Sequence, residues 1–259
     1  MLRSIARRVR RRVAGAPSGK RGSAKSVVPP SPIAIGPHHG IPGFAPLTAD
    51  EQAVVDAFHR LYYDQRIEGR RTVYLNWMGW RLVKCPFDAW TYQEIIVDTR
   101  PQLIVECGTR FGGGAMFMAS LLDLLGEGEV LSIDTDTEPD RPTHPRIRYL
   151  AGSSVASETL REVERAAAGK RTMVVLDSDH SAAHVAKELA VYPRFVSRGC
   201  YLIVDDTNMG GHPVWQDDDP GPMAALDAWL PTQDAFEVDV TRERFMLTLN
   251  PRGFLRRVR

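Results

Sequence analysis

Residues 103–107, Leu-Ile-Val-Glu-Cys, form a short apolar run that passes directly into Gly108-Thr-Arg-Phe-Gly-Gly-Gly114 and an apolar helical pattern. A buried strand, a glycine-rich turn and a helix in immediate succession form the opening unit of an open, mostly parallel sheet. Four glycines within seven residues exceed what one turn needs and point to a ligand that approaches bare backbone. Glu106 restricts which ligand that is. A carboxylate is unfavourable beside a phosphate and suits an amine or another positive centre.

The alternation continues along the chain. Short apolar runs predict strands at 103–107, 129–133, 146–150, 172–177 and 200–205, and 3.6-residue periodicity predicts helices near 51–67, 88–99, 114–125, 155–168, 182–196 and 222–230. The inner strands lack polar alternation, as expected when both faces of a sheet are covered. Two further strands, 235–240 and 244–250, are close enough to pair antiparallel. The expected fold is therefore α/β: a doubly wound, Rossmann-like sheet, mostly parallel, ending in an antiparallel hairpin.

Charge divides the chain by position. The first 49 residues hold nine Lys/Arg and no acid, leaving 24 basic and 32 acidic groups, a net of −8, for the rest. An acidic body excludes a nucleic-acid-binding domain, which needs clustered basic residues on its folded face. Residues 1–48 read as a basic, Pro-rich arm ahead of a domain at 49–259. Within the arm, Leu2, Ile5, Ala6, Val9 and Val13 have helical spacing between arginines. Residues 1–16 are open to two readings, a disordered tail or a helix lying on an anionic membrane surface. Three cysteines without a CxxC pair fit a reducing compartment, and no apolar run reaches transmembrane length. The expected location is the cytoplasm, with the arm as a candidate peripheral contact on the inner membrane face.

In a doubly wound sheet the ligand lies beyond the carboxyl ends of the strands. Gly108-x-x-x-Gly112-Gly113 departs from the dinucleotide pattern GxGxxG, with Arg110 in place of a glycine. S-adenosylmethionine carries an α-ammonium and a sulfonium and suits Glu106. Asp134, at the end of the second strand of the sheet, is placed to accept ribose hydroxyls, with Asp136 as the fallback. Ser153, in the turn 151–154, is expected near the adenine. Asp177 and the pair Asp205–Asp206 end the next two strands, which stand about 4.8 Å apart when adjacent. Carboxylates that converge repel one another, and Mg²⁺ with retained waters is the economical neutraliser. His180 and His184 lack the HExxH pattern of zinc enzymes, and no histidine opens an HxD iron motif.

Taken together, these residues resemble a known family. Lys84-Cys-Pro86, Tyr92-Gln-Glu94, Arg100-Pro101, Glu106 to Gly114, Ser132-Ile-Asp134, Leu176-Asp-Ser-Asp-His180, Val204-Asp-Asp-Thr207, Gly221-Pro222 and Pro251-Arg-Gly-Phe-Leu255 are similar to the cephalosporin hydroxylase/rhamnosyl O-methyltransferase group of class I, S-adenosylmethionine-dependent methyltransferases. The resemblance covers roughly residues 72–257. It implies Mg²⁺ on Asp177, Asp205 and Asp206, and a general base at Asp179, with His180 taking that role if the loop turns the other way. It implies a cofactor held by Glu106, Gly108, Arg110, Gly112, Gly113, Asp134 and Ser153. Many relatives carry Glu-Asp where this chain has Asp205-Asp206. The acceptor implied is a small molecule or a glycolipid, with Trp77–Trp80 and 212–222 as candidate walls, and homo-oligomerisation is left open. A metal-dependent hydroxylase and a non-catalytic cofactor-binding subunit are the competing readings.

Overall fold

The computed structural model describes residues 34, 36, 45–67, 75–137, 140–216 and 218–259. Most of the basic arm, including the candidate surface helix at 1–16, lies outside the described residues. Helix α1 (Ala49–Ile67) starts two residues earlier than the expected 51. Thr48 caps it: Glu51 N donates to Thr48 Oγ1 at 3.3 Å and Thr48 N donates to Glu51 Oε2 at 2.8 Å. This reciprocal pair satisfies two helix-end amides at once. Trp77–Trp80, one of the candidate walls, forms the turn of a small hairpin, β1 (Leu75–Trp77) and β2 (Trp80–Leu82). Pro86 opens α2 (Pro86–Thr99), where its missing N–H costs nothing, and Arg100 in the left-handed conformation followed by Pro101 ends it.

From there strand and helix alternate: β3 (Leu103–Cys107), α3 (Gly113–Leu125), β4 (Glu129–Asp134), β5 (Ile147–Ala151), α4 (Ser157–Ala167), β6 (Thr172–Leu176), α5 (Ala182–Val191), β7 (Tyr201–Val204), α6 (Gly221–Trp229), β8 (Phe236–Val238) and β9 (Phe254–Arg257). The seven-stranded sheet runs β5-β4-β3-β6-β7-β9-β8. Its first five members are parallel, and β9 inserts antiparallel between β7 and β8. Every residue of β3, β6 and β7 is buried. Unbroken Val, Ile and Leu runs therefore give the core its centre, covered on both faces.

The terminal hairpin is present, but its second strand is not 244–250. That segment alternates Phe245, Leu247 and Leu249 as a strand would, yet it forms a loop, and Phe254–Arg257 pairs with β8 instead. Tertiary hydrogen bonds decide this. Thr248 Oγ1 and Leu249 N donate to buried Asp88 at 2.5 and 2.8 Å, and Asn250 Nδ2 donates to Asp205 at 2.6 Å. Phe254 and Leu255 take the fully buried places.

Candidate active site

A cavity of about 780 Å³ opens over the carboxyl ends of β3, β4 and β6 and the loops after β5 and β7. The glycine loop forms one wall, and the structure changes the explanation of its glycines. A Cβ at Gly108, where φ is +96°, would lie 1.8 Å from the Asp177 carbonyl oxygen; at Gly113 it would lie 1.9 Å from that of Arg81. At Gly114 it would strike the Glu106 carboxylate at 2.4 Å. The chain's own backbone, as well as any ligand, therefore demands the bare positions. Gly112 faces Pro142 and Tyr149 and does not line the cavity, whereas Gly108, Arg110 and Gly113 do.

Glu106 projects into this cavity from β3 and is 2% exposed. Its Oε2 accepts from Ser132 Oγ at 2.5 Å. Burial pushes its carboxyl up to about 8, opposed in part by the Ser132 bond and the Lys84 charge. Asp134, at the end of β4, is largely engaged by the loop. Its Oδ2 accepts from Thr109 N (3.0 Å), Arg110 N (2.7 Å) and Arg141 Nη2 (3.2 Å), while Oδ1, among the described residues, accepts only from Asp136 N (3.0 Å). The carboxylate thus pins the glycine loop and keeps one oxygen with spare acceptor capacity. Ser153 lines the cavity at the β5 side.

At the other end the acids separate into two groups. His180 Nε2 lies 3.4 Å from Asp206 Oδ2 and 3.9 Å from Asp177 Oδ1. Asp177, His180 and Asp206 each bring one ligand atom within 4.8 Å of the others. Asp206 holds a left-handed backbone (φ 53°), fixed by its N–H donating to Asn250 Oδ1 at 2.9 Å. Asp205, expected as a third ligand, faces elsewhere. Its Oδ2 takes the Lys84 ammonium, and its Oδ1 accepts from Tyr92 OH and Asn250 Nδ2, both at 2.6 Å. Lys84 also reaches Asp177 Oδ2 at 2.9 Å. Burial acts to lower the Lys84 pKa, but the two carboxylates outweigh it and hold the ammonium charged. Part of the repulsion expected of these acids is therefore relieved by the protein's own cation.

Asp179, expected as the general base, lines the cavity beside His180. Its Oδ1 accepts from Ser181 N at 2.9 Å, and that amide holds its carboxyl below the usual range. A carboxylate stabilised in this way is a weaker base, and the loop turns His180 toward the acids. His180 and His184 do not share a ligand point: His184 Nε2 lies 3.0 Å from Ser154 Oγ and 3.4 Å from Glu188 Oε1. Of the expected acceptor walls, Trp215 lines the cavity, with Tyr63 of α1 beside it at 6.4 Å between ring centroids. Trp77 packs instead edge-on against Phe117 and donates to Ser120 Oγ at 3.1 Å. Tyr63, Tyr92, Asp88 and Asn250 carry no local signal of their roles. Lys84 had one, a lysine set against the buried Cys85 and the Pro86 that opens α2.

Five parallel strands, β9 reversed beside β7 and a cleft over Glu106 and Asp134 define the class I methyltransferase fold. A family model described as Rhamnosyl O-methyltransferase/CmcI matches residues 70–258. The rhamnosyl O-methyltransferase of Mycobacterium leprae (strain TN) is 34% identical over 211 residues, covering 78% of this chain and 90% of that protein. That of Mycobacterium tuberculosis (strain ATCC 25618 / H37Rv) is 34% identical over 215 residues, covering 78% and 84%. The solved structure "cmcI-D160 Mg-SAM" has a TM-score of 0.56 at 20% identity, over 71% of this chain and 77% of that one, a likeness in fold. The chain belongs to the rhamnosyl O-methyltransferase/CmcI family and is an S-adenosylmethionine-dependent O-methyltransferase.

Proposed function

We propose that the protein transfers a methyl group from S-adenosylmethionine to a hydroxyl of a sugar, on a glycolipid or other small molecule. One observation carries this reading: the cavity that holds Glu106 and the glycine loop ends on Asp177, His180 and Asp206. The relatives named as rhamnosyl O-methyltransferases support a sugar acceptor. The cofactor supplies an electrophilic methyl group. Glu106 binds its amine, Asp134 Oδ1 its ribose, and Ser153 lies at the adenine end.

The donor set also fits Mg²⁺. Asp177 Oδ1 and Asp206 Oδ2 are hard oxygen donors on one side of the cavity, and Lys84 engages the other oxygen of Asp177. Asp177 and Asp206 would hold the ion, which when bound supplies a Lewis acid that acidifies the acceptor hydroxyl. Lys84 anchors Asp205, and with it the β7 turn that aims Asp206. His180 Nε2 accepts the proton of the acceptor hydroxyl. Trp215 and Tyr63 flank the acceptor, holding it in line with the methyl group, so positioning supplies much of the rate.

The test is transfer of labelled methyl from S-adenosylmethionine to a rhamnoside, with cofactor binding followed calorimetrically with and without Mg²⁺. Transfer that is lost in chelator and in His180→Gln supports the reading. No binding of S-adenosylmethionine or S-adenosylhomocysteine by the wild type, or full activity in chelator, overturns it.

A further inference from the structure

Methyl transfer leaves one group of buried polar side chains unused. Glu188 on α5 has a side chain 1% exposed. Its Oε1 accepts from Ser178 Oγ at 2.7 Å, and its Oε2 has no hydrogen-bond partner among the described residues. A buried carboxylate is costly without a compensating proton or cation. His184, one turn earlier on the same helix, supplies it through Nε2, which is shared with Ser154 Oγ. Tyr192 OH donates to the Ser154 carbonyl at 2.7 Å and fixes the same loop from the other side. The hydrogen bond to Glu188 raises the His184 pKa against the opposing effect of burial. A cation in the first turn of a helix opposes the helix dipole, and the adjacent Glu188 carboxylate offsets that cost.

The position of this ring along the sheet is informative. His184 lines the cavity together with Ser153 and Ser154, which follow β5. The strand order β5-β4-β3-β6 places Glu106 on β3 and Asp134 on β4. A cofactor with its amine at Glu106 and its ribose at Asp134 extends its remaining end over the loop after β5. Nε2 is committed to Ser154 and Glu188, and among the described residues no side chain hydrogen-bonds Nδ1, which leaves it and the ring face for a ligand. Adenine offers an aromatic face and ring nitrogens that accept hydrogen bonds, which suit a partly charged imidazole.

We infer that His184 is a cofactor-binding residue that holds the adenine end of S-adenosylmethionine, with Glu188 and Ser154 fixing its ring. The inference rests on the methyl-transfer reading above. It is tested by calorimetric binding of adenosine and S-adenosylhomocysteine to the full chain and to His184→Ala, His184→Asn and Glu106→Gln. His184→Ala should weaken both ligands about tenfold, the scale of one lost polar contact, and raise the KM for S-adenosylmethionine with kcat at saturation retained. His184→Asn, which keeps a nitrogen near the place of Nδ1, should recover part of the loss. Glu106→Gln should leave adenosine unaffected, because adenosine carries no α-amine. In the wild type, titration with adenosine should shift the His184 ring resonances, a readout independent of any variant's folding. Unshifted resonances, or wild-type adenosine affinity in a folded His184→Ala, would overturn the inference and leave methyl transfer standing. A wild type that binds no S-adenosylmethionine overturns the methyl-transfer reading, and this inference with it.

Discussion

The two halves of the cavity are built in different ways. The half proposed for the cofactor, at β3, β4 and β5, is made from consecutive strand ends and one glycine loop, held by hydrogen bonds between neighbouring strand ends such as Asp134 to Thr109 and Arg110, 25 and 24 positions apart. The acceptor half, at β6 and β7, is assembled from side chains far apart in sequence. Lys84 meets Asp205 across 121 positions and Asp88 meets Thr248 across 160. Backbone geometry shapes the first half. In the second, buried charge sets the arrangement, so its stability depends on pairs in which neither partner is dispensable alone.

The sharpest way to break this contrast is Lys84→Met. The lysine side chain is 6% exposed and lies between two carboxylates, so its loss leaves Asp205 buried without a cation. The expected cost is about 3–5 kcal/mol in denaturant unfolding. Adding Asp205→Asn should return much of that, since removing both charges is cheaper than removing one. A single variant that unfolds like the wild type would show that the acceptor half does not rest on this pair. Next is Gly108→Ala in the cofactor half, which meets both the positive φ and the Asp177 carbonyl. It should cost about 2–4 kcal/mol by strain and overpacking, with cofactor binding lost together with stability. Crystals of a folded variant with the β3–β6 spacing unchanged would refute that account.

Two smaller effects sharpen the comparison. Burial pushes the Glu106 carboxyl up to about 8, which favours its protonated form at pH 7. Binding an ammonium favours the carboxylate, so cofactor binding should release a proton at pH 7 and tighten as pH rises toward 8. Calorimetry in buffers of different ionisation enthalpy measures this release, and Glu106→Gln should abolish it. Without ligand the sign for stability is opposite. Glu106 and Asp88, pushed up to about 8 and about 7 by burial, bind protons more tightly folded than unfolded. Their contribution is complete below about pH 4, and it is lost as pH rises through 7 and 8. The smallest effect belongs to Trp215→Ala, which should raise the acceptor KM by roughly fivefold, about 1 kcal/mol, through lost aromatic contact. Cofactor affinity should stay unchanged, and a loss there would place Trp215 in the wrong half.

The difference between the halves also explains what could be read from the chain in advance. The five parallel strands, the glycine loop, Glu106 and Asp134 are legible because apolar runs, glycines and strand-end acids are local patterns. The terminal hairpin was legible as an element, but its second strand was not. Residues 244–250 carry a strand's alternation, and partners drawn near by folding, Glu94, Asp88 and Asp205 among them, hold them as a loop. The acids on β6 and β7 were legible as a cluster. Their division was not, because nothing near Asp205 in sequence indicates that Lys84, Tyr92 and Asn250 converge on it.

The amino-acid sequence by itself determined the α/β class, the place of the cleft and some of the side chains that face it, Glu106, Asp134, Ser153 and Asp177 among them. Those outcomes follow from hydrophobic periodicity and backbone freedom, which act over a few residues. Tertiary structure alone decided that Lys84 meets Asp205 and one oxygen of Asp177, and that Asp206 lies apart from it beside His180. It also decided that His180 lies against Asp206 and Asp177 while Asp179 accepts from Ser181 N, and that Tyr63 of α1 lines the cavity beside Trp215. Electrostatic interactions inside a protein depend on distance and desolvation, and both are created only when remote segments pack together.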